Sequence, residues 1–459
     1  MNTDSGRCRV RFLRAGNPAL SFAIPVLAAF AGFLSSAGIA LGAASVTLTR
    51  STTYQTFWGF GASANDPVAT LYNDYNATTR AAILDKLFGT TSGGAGLSIV
   101  RLEINPFTEA EDPVQTTCLP ADGVWDWETD EYQRWFAEEA IARGVTQFYA
   151  VPWSPPGWMK TNGSPANGGY LAEENYDKFA DYIKTWVDHY RNVFGIPVKW
   201  VSVQNEPNTN ATWASCLYTT TALDIVAARV ADAVHDLDQG VLVGAPEGSG
   251  RYVTHQYVTP LSATTIEKLD FVPTHSYGSD FNINARGKPV INTEVCETGA
   301  NDPSMTDGLR WANMIAASLK KNERGWLHWW AVARTSSGQS LINLEADDAW
   351  SVNKRLYVLG QYARWLRPGD TRFLAAVSGT ADLVAVAGKN GAGQAALVVI
   401  NNGSNEISTT ITGVIGTELS AWRTSDTEDL AALATIPVVS GKATVMIPAA
   451  SVTTFIENE

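Results

Sequence analysis

The chain has 459 residues, which suits one large domain with an accessory module rather than a single small domain. Hydrophobic residues make up 45% and charged residues 17%, the ordinary proportions of a globular protein with a sizeable core. The formal net charge of −13 argues against a nucleic-acid partner, because nucleic-acid binders carry basic patches. The many aromatic residues suit a core and also stacking platforms for sugars or bases.

The N-terminus has the pattern of a secretory signal. An uncharged apolar run over residues 19–42 is followed by small residues and preceded by four arginines, Arg7, Arg9, Arg11 and Arg14. We predict a signal peptide over residues 1–44 and a secreted protein, extracellular or periplasmic, with no membrane contact after cleavage. Because the apolar run is long, an uncleaved anchor is the competing interpretation. Removal of residues 1–44 takes away four Arg and one Asp, which leaves 29 basic and 45 acidic residues and a net charge of −16.

The cysteine and histidine content limits the chemistry. Cys8 lies in the predicted signal peptide, so Cys118, Cys216 and Cys296 remain and allow at most one disulfide. Cys118 and Cys216 both fall in expected loops above strand ends, and we predict that they pair. Five His and no C-x-x-C or H-E-x-x-H spacing give no indication of a metal site, and we expect no cofactor.

Strand-like and helix-like segments alternate over residues 55–366. Eight apolar runs lie near Phe57 and at residues 98–102, 146–151, 198–203, 241–244, 270–273, 289–293 and 325–330. Amphipathic stretches of helical period lie between them, at residues 79–87, 128–143, 174–194, 221–237, 305–320 and 355–366. This alternation predicts an α/β fold, a (β/α)8 TIM barrel. An open doubly wound sheet is rejected, because Gly59-Phe60-Gly61 lacks the third glycine of a phosphate turn.

The pattern changes after Pro368-Gly369. Short alternating runs separated by Gly, Asn, Ser and Asp turns lie at residues 381–387, 394–401, 406–412, 419–425, 443–447 and 452–456. They predict a side antiparallel β-sandwich domain over residues 367–459. The alternation at Val46-Thr47-Leu48-Thr49 predicts a further strand of this domain over residues 45–54, so that both termini contribute to it.

Two predicted strands end on a carboxylate. The run Val198–Pro207 ends on Asn205-Glu206-Pro207, and residues 289–294 end on Glu294. A single strand-end Glu is more often a cap of the next helix, but in a barrel these two face each other across one ring of loops. Glycoside hydrolysis requires such a pair, one protonated and one ionised. A separation of about 5–5.5 Å would give retention of configuration, and about 6.5–9.5 Å inversion.

Other strand ends supply further polar and aromatic groups. The amide of Asn205 can bind a sugar hydroxyl, and Tyr277 and Arg101 can hold Glu294 ionised. Four strand-end tryptophans offer faces for sugar rings, although about half of them should be core: Trp153, Trp158, Trp329 and Trp330.

Several motifs occur together in one order: Trp58-Gly59-Phe60-Gly61, Arg101-Leu102-Glu103, residues 152–160, residues 202–207, His275-Ser276-Tyr277-Gly278, Thr293-Glu294-Val295, Trp329-Trp330 and residues 451–455. In these the chain resembles glycoside hydrolase family 30. The resemblance implies a retaining (β/α)8 β-glycosidase with a side β-domain, Glu206 as acid/base and Glu294 as nucleophile. It also implies a set of residues around the attacked sugar: Arg101, Trp153, Asn205, Tyr277 and Trp329, to which we add His275.

The resemblance leaves the substrate open. Some family members are endo-xylanases that recognise a glucuronic acid branch through an Arg in the loop after strand eight, and Arg334 lies there. Ser336 occupies the position of an expected aromatic, and a salt bridge from Arg334 to Glu345 or Asp347 is the alternative.

We therefore predict a secreted, monomeric, retaining endo-β-glycanase for plant cell-wall polysaccharide, with β-1,4-xylan or glucuronoxylan first. An endo-β-1,6-galactanase or β-1,6-glucanase is the alternative within the family. A non-catalytic carbohydrate-binding protein is the alternative from another class.

Overall fold

A computed structural model describes residues 43–458, apart from residues 92 and 279. All but the last two residues of the predicted signal peptide lie outside this range, so the signal peptide stays a prediction. Within the described part of the chain, no helix is both long enough and apolar enough to cross a membrane. Two β-sheets organise this part of the chain.

The first sheet is a nearly closed barrel of eight parallel strands. Hydrogen bonds join the strands in the order β7-β8-β9-β2-β3-β4-β5-β6, and the bridge from Gly244 to Phe271 brings the two ends together. The predicted (β/α)8 barrel is confirmed. The strands are β2 (Gly59–Ser63), β3 (Ile99–Ile104), β4 (Gln147–Pro152), β5 (Val198–Ser202), β6 (Leu242–Gly244), β7 (Val272–His275), β8 (Val290–Glu294) and β9 (Gly325–Ala333).

The helices surround this barrel. They are α1 (Pro67–Asp74), α2 (Ala77–Phe88), α3 (Glu131–Ala142), α4 (Tyr176–Asn192), α5 (Thr220–His235), α6 (Arg251–Val258), α7 (Ala263–Lys268), α8 (Met305–Lys320) and α9 (Lys354–Ala363). The start of α5 is fixed by Thr219, whose hydroxyl accepts a hydrogen bond from the Ala222 amide. The sequence did not predict α1, α6 and α7, because six to eight residues are too few to display a helical period.

Large side chains fill the inside of the barrel. Tyr149, Trp200, Phe271 and Leu327 are fully or almost fully buried in one cluster, and the Trp58 ring stacks on Trp200 with centroids 5.4 Å apart. The barrel is therefore solid below its mouth, and a ligand has access only from the loops at the carboxyl ends of the strands. Two strands that the sequence did not predict, β10 (Ser340–Leu344) and β11 (Trp350–Val352), extend the sheet beyond β9.

The second sheet contains both ends of the described chain. Strand β1 (Ala44–Thr56) lies between two C-terminal strands, antiparallel to one and parallel to the other. Val46 and Leu48 on β1 are buried and Thr47 between them is exposed, so the predicted N-terminal strand is confirmed. The other strands are β12 (Thr371–Ser378), β13 (Leu383–Lys389), β14 (Ala395–Asn401), β15 (Ile407–Thr412), β16 (Glu418–Thr424), β17 (Ala431–Ala432), β18 (Ile436–Pro437), β19 (Lys442–Ile447) and β20 (Ser451–Asn458).

This mostly antiparallel sheet closes over its own core. Val46 and Ile411 from one end of the sheet share a hydrophobic cluster with Val399, Leu419 and Phe455 from the other. The arrangement is the side β-sandwich that the turn-rich sequence predicts.

Candidate active site

The two predicted carboxylates meet at the mouth of the barrel. Glu294 is the last residue of β8, and Glu206 lies just beyond β5, where Pro207 has no N–H to continue the strand. Glu206 has a left-handed backbone, φ +44°, and its amide donates to the Glu247 carbonyl at 3.0 Å. One carboxylate oxygen of Glu206, one of Glu294 and one ring nitrogen of His275 all lie within 4.8 Å of one another.

Glu294 receives two hydrogen bonds. Arg101 Nη1 donates to Oε2 at 2.8 Å, and the Tyr277 hydroxyl donates to Oε1 at 2.9 Å. Burial raises the pKa of Glu294, and the positive charges of His275 and Arg101 limit that rise without cancelling it. The predicted contacts with Arg101 and Tyr277 are therefore present, but Glu294 still ionises at a higher pH than an exposed glutamate.

Glu206 forms a close pair with His275. His275 Nδ1 lies 2.8 Å from Glu206 Oε1, and the Thr209 hydroxyl donates to Oε2 at 2.9 Å. Burial alone would raise the pKa of Glu206, but the hydrogen bonds from His275 and Thr209 and the His275 charge lower it below its ordinary value.

His275 carries the opposite shift. Burial would lower its pKa, but the charge of Glu294, the hydrogen bond to Glu206 and the nearby carboxylate of Glu247 raise it to about 10. At neutral pH the pair of Glu206 and His275 therefore holds one proton, which resides mainly on the imidazole. The two groups titrate as a unit, so the acid of this site is the pair rather than an isolated carboxyl.

A third carboxylate supports this arrangement. Glu247 follows β6, is fully buried and, like Glu206, has a left-handed backbone, φ +56°. It accepts hydrogen bonds from Arg101 Nη2 at 3.0 Å and from the Tyr149 hydroxyl at 2.6 Å, and its Oε1 lies 3.5 Å from His275 Nε2. Burial would raise the pKa of Glu247, but Arg101 and His275 outweigh it and hold the pKa at about 2.

Glu206, Glu294 and Tyr277 line one cleft of about 660 Å³. Its wall contains polar residues, tryptophans and five acidic residues, and no lysine, arginine or histidine is among the lining residues. They are Asn65, Asp66, Glu103, Asp112, Gln115, Trp153, Asn205, Glu206, Trp213, Ala214, Ser249, Tyr277, Glu294, Cys296, Thr298, Trp329, Trp330 and Gln339.

Comparison with known sequences identifies this barrel. The sequence model of a family described as "O-Glycosyl hydrolase family 30" matches residues 43–246, which include Arg101, Glu206 and the strand ends around them. The chain is a glycoside hydrolase that is similar to family 30 over this range.

Relatives of this hydrolase carry names that refer to several substrates. A lysosomal acid glucosylceramidase from Mus musculus is 24% identical over 424 residues, 80% of this chain and 79% of that protein. An endo-1,6-beta-D-glucanase from Aspergillus fumigatus is 23% identical over 416 residues, 78% and 81% of the two chains. The glucuronoxylanase XynC from Bacillus subtilis is 22% identical over 448 residues, 91% and 93% of the two chains.

The fold of the hydrolase is similar to that of solved structures. The catalytic domain of the GH30 xylanase C from Talaromyces cellulolyticus superimposes with a TM-score of 0.81 at 24% identity, over 90% of this chain and all of that one. At this identity the likeness supports the barrel and side domain and leaves the substrate undecided.

The structure brings most of the predicted substrate-binding residues of the hydrolase together. Trp153, Asn205, Tyr277 and Trp329 line the cleft, and His275 lies beneath it. Arg101 is fully buried below the lining, where Nη2 donates to Asn205 Oδ1 at 2.8 Å and the guanidinium lies 4.3 Å from the centre of the Trp153 ring.

Two of the strand-end tryptophans differ in their environment. Trp330 lines the cleft of the hydrolase, whereas Trp158 is outside the lining and donates its Nε1–H to the Leu119 carbonyl at 3.0 Å. The prediction that part of the strand-end tryptophans are packing residues agrees with Trp158.

Arg334 does not lie in the cleft. Its side chain is 52% exposed, Nη1 lies 3.4 Å from Asp74 Oδ2, and Nη2 donates to the Glu345 carbonyl at 3.4 Å. Strand β9 continues to Ala333 and pairs there with β10, and this pairing determines where the following loop leaves the barrel. Arg334 therefore lies outside the cleft lining, and the alternative of a salt bridge with Glu345 or Asp347 was wrong, because its ion pair is with Asp74.

The predicted disulfide is also wrong. Cys118 and Cys216 are free, buried thiols, as is Cys296. Cys118 lies near Asp130 and Tyr182, whereas Cys216 lies near Lys160 and Tyr218, so the two loops place their cysteines in different surroundings. Burial raises the pKa of Cys216 to about 11, which makes it an unreactive thiol at neutral pH.

Glu247 is the residue that sequence reasoning missed. Pro246-Glu247 has the strand-end position of Glu206 and Glu294, and this position was the only available signal. The group of Glu206, His275 and Glu294 has the residue types and spacing to hold a metal ion. The raised pKa of His275 means that a metal would have to displace a proton from its ring.

Proposed function

We propose that the chain is a retaining endo-β-glycanase that acts by double displacement. The observation that carries the proposal is that carboxylate oxygens of Glu206 and Glu294 lie within 4.8 Å of each other. Retaining glycosidases have carboxyl groups about 5–5.5 Å apart, whereas inverting enzymes need about 6.5–9.5 Å to place a water between them.

In the first step a carboxylate oxygen of Glu294 forms a bond to the anomeric carbon. The bond from that carbon to the leaving oxygen breaks, and the leaving oxygen takes a proton from Glu206. Bond formation removes the negative charge of Glu294, and that charge is one of the causes that raise the pKa of His275. The pair of Glu206 and His275 thus becomes a stronger acid as the proton is needed.

In the second step Glu206 accepts a proton from water. The water oxygen attacks the anomeric carbon, and the bond to Glu294 breaks, which releases the sugar with its original β configuration. The carboxylate of Glu294 returns, and with it the charge that favours a proton on His275.

We propose an uncharged polysaccharide as substrate, with β-1,4-xylan first. No basic residue lines the cleft, and Arg334 lies outside it, so the lining offers a glucuronate branch no ion pair. The relative named glucuronoxylanase XynC supports xylan, and the acidic lining supports unbranched stretches of it.

A β-1,6-glucan or β-1,6-galactan is the second candidate. The relative named endo-1,6-beta-D-glucanase favours it, as does the absence of a cation from the residues that line the cleft. Product analysis on xylan, glucuronoxylan, β-1,6-galactan and pustulan separates the candidates. We expect the enzyme to release oligosaccharides from xylan. Xylan without glucuronate branches should be hydrolysed at least as fast as glucuronoxylan. Release from pustulan or β-1,6-galactan alone would reject xylan.

Variants test the roles of the two carboxylates. Glu294→Gln should lose at least about 1,000-fold in kcat on every substrate, because no nucleophile remains. Glu206→Ala should lose about 100- to 10,000-fold on polysaccharide, and far less on an aryl glycoside whose leaving group needs no proton. Glu297→Gln is the matched control, since Glu297 lies three residues beyond Glu294, pairs with Arg310 and is outside the cleft lining. Equal losses on both substrates for Glu206→Ala would reject its acid role.

We also propose secretion, with the barrel over residues 55–366 and the side domain over residues 45–54 and 367–459 acting as one monomer. The apolar run over residues 19–42 supports secretion. N-terminal sequencing of protein from the culture medium should begin near Ser45, and a membrane-bound full-length chain would contradict this.

A further inference from the structure

Trp213 is a tryptophan that the proposed mechanism does not use. Its side chain is 61% exposed, yet it lines the cleft together with Glu206, Ala214 and Ser249. It lies in the loop of residues 203–219 that connects β5 with α5. An indole this exposed contributes little to the core, so its place on the wall of the cleft needs another explanation.

The loop holds this indole on a fixed support. Ser215 Oγ accepts hydrogen bonds from the amides of Ala211 at 3.2 Å and Gly168 at 3.0 Å. The buried ammonium of Lys160 donates to the Ser215 carbonyl at 2.6 Å. The backbone on both sides of Trp213 is therefore anchored, and a ligand would not have to order the loop before it could stack on the ring.

The loop also places Trp213 on the side of Glu206. Thr209, in the same loop, donates to Glu206 Oε2 at 2.9 Å. A group that protonates the leaving oxygen must lie beside the sugar that carries this oxygen. Trp153 and Trp329, whose ring centroids lie 5.3 Å apart, form a second aromatic surface and both contact Arg101, which donates to Glu294 and to Asn205. Trp213 is thus the lining tryptophan that the loop of Glu206 and Thr209 carries.

We infer that Trp213 forms the acceptor-side subsite, where it stacks on the apolar face of an uncharged pyranose whose hydroxyl is the leaving group. Ser249 lies at the edge of this subsite, and Asn208 Nδ2 donates to its Oγ at 2.8 Å, which orients a polar group toward the sugar rim. The inference rests on the proposed function, and it specifies a sugar rather than an alkyl chain as the group that leaves.

The same subsite has a consequence for the second step. A sugar that stacks on Trp213 after the first product has left would present a hydroxyl where water otherwise attacks. Glu206 would take the proton of that hydroxyl, the sugar oxygen would bond to the anomeric carbon, and Glu294 would be released. The enzyme should therefore transfer glycosyl groups to added oligosaccharides, and Trp213 should control the share of transfer against hydrolysis.

The test compares Trp213→Ala with a matched control, Tyr170→Ala. Tyr170 is an exposed aromatic on the segment that pairs with the same loop, but it is outside the cleft lining. For Trp213→Ala we expect kcat/KM to fall about ten-fold on oligosaccharides of the cleaved polysaccharide and to stay unchanged on the glycosyl fluoride of the same donor sugar, because fluoride cannot stack on Trp213. Transfer to added oligosaccharide should fall in parallel. Trp213→Phe should keep most of the kcat/KM on oligosaccharides and most of the transfer, and Tyr170→Ala should change neither of these two quantities.

Three results would overturn the inference. An equal loss of kcat/KM on oligosaccharide and fluoride would mean that Trp213 supports the structure of the whole site. No loss of kcat/KM on either substrate would mean that Trp213 does not contact the substrate. A loss confined to alkyl glycosides would assign the surface to a lipid chain. A wild-type enzyme that cleaves none of the four polysaccharides fails at the proposed function itself, before any Trp213 variant is measured, so the two failures are distinguishable.

Discussion

His275 is fully buried among three carboxylates, and its proton is the one that the site can donate. Its pKa of about 10 lies far above the ordinary 6.5 because Glu294, Glu206 and Glu247 surround it. The raised pKa keeps the pair of Glu206 and His275 protonated well above neutral pH.

Replacement of His275 should therefore change the pH dependence of catalysis. We expect the wild-type kcat/KM to persist above pH 8, and His275→Gln to move its alkaline limb at least about one unit toward lower pH, because the remaining proton then sits on a buried carboxyl alone. A kcat/KM profile on soluble oligosaccharide measures this, with His255→Gln on the solvent side of α6 as the control. An alkaline limb that does not move in His275→Gln would show that His275 does not hold the proton.

Glu247 makes a testable contribution to stability. Its folded-state pKa of about 2 lies below the ordinary 4.5, so the stabilisation is present above pH 4.5 and is lost as the pH falls toward 2. A shift of this size corresponds to about 3 kcal/mol. Glu247→Gln should lower the free energy of unfolding by about that amount at pH 7, and by less at pH 3.5, in denaturant titrations. A penalty that is the same at both pH values would mean that packing, rather than charge, is what the substitution removes.

Strand β1 ties the beginning of the described chain to its end. It lies between β12 and β15, and Val46 is fully buried where the three strands meet. Since loss of buried methyl groups leaves a cavity, Val46→Ala should lower the free energy of unfolding by about 2 kcal/mol. Thr47→Ala, at the neighbouring exposed position, should change it by less than about 0.5 kcal/mol. Thermal unfolding of both variants measures the difference, and equal effects would contradict the central position of β1.

The same elements show how far the sequence determines the fold. Helix α8 is predicted to the residue over Met305–Lys320, because sixteen residues display the helical period clearly. Strands β10 and β11 are missed, since they form by pairing with β9 and with each other rather than by a strong pattern of their own. Strand β12 is missed because its exposed and buried residues do not alternate regularly.

The candidate site was predictable only where a local feature of the sequence marks the residue. Glu206 and Glu294 follow from strand ends, which are local features. The environment of Glu247 depends on Arg101 and Tyr149, which lie 146 and 98 residues earlier in the chain, and no local pattern reports such contacts. The left-handed backbone of Glu206 and Glu247 is likewise fixed by the surrounding loops rather than by residue type.

The pKa shifts of buried ionisable groups across the molecule predict that the folded state is most stable at mildly acidic pH. Burial raises the pKa of Asp66 to about 6 and of Asp130 to about 7. A raised folded-state pKa means that stability is fully present below the unfolded value of 3.8 and declines as the pH rises through 6 and 7. His275 adds a further decline between pH 6.5 and about 10, whereas Glu247 causes the loss below pH 4.5.

We therefore expect the unfolding temperature to be highest near pH 4.5 and to fall on both sides. Asp130→Asn should reduce the loss of unfolding free energy between pH 4 and 7 by up to about 4 kcal/mol. The amide oxygen still accepts a hydrogen bond from Asn105, but it brings no buried charge. Calorimetry of the wild type and the variant from pH 3 to 9 measures both. An unfolding temperature that rises steadily from pH 5 to 8 would contradict this assignment.

The central claim is that Glu294 forms a covalent bond to the sugar while Glu206 supplies the proton. Incubation with a 2-deoxy-2-fluoro glycoside of the donor sugar, followed by peptide mass spectrometry, tests it most directly, because the fluorine slows release of the glycosyl-enzyme. We predict one sugar per chain, attached to Glu294 and absent from Glu294→Gln. A label on Glu206 or another residue, or hydrolysis of the natural substrate with inversion and no label, would contradict the claim.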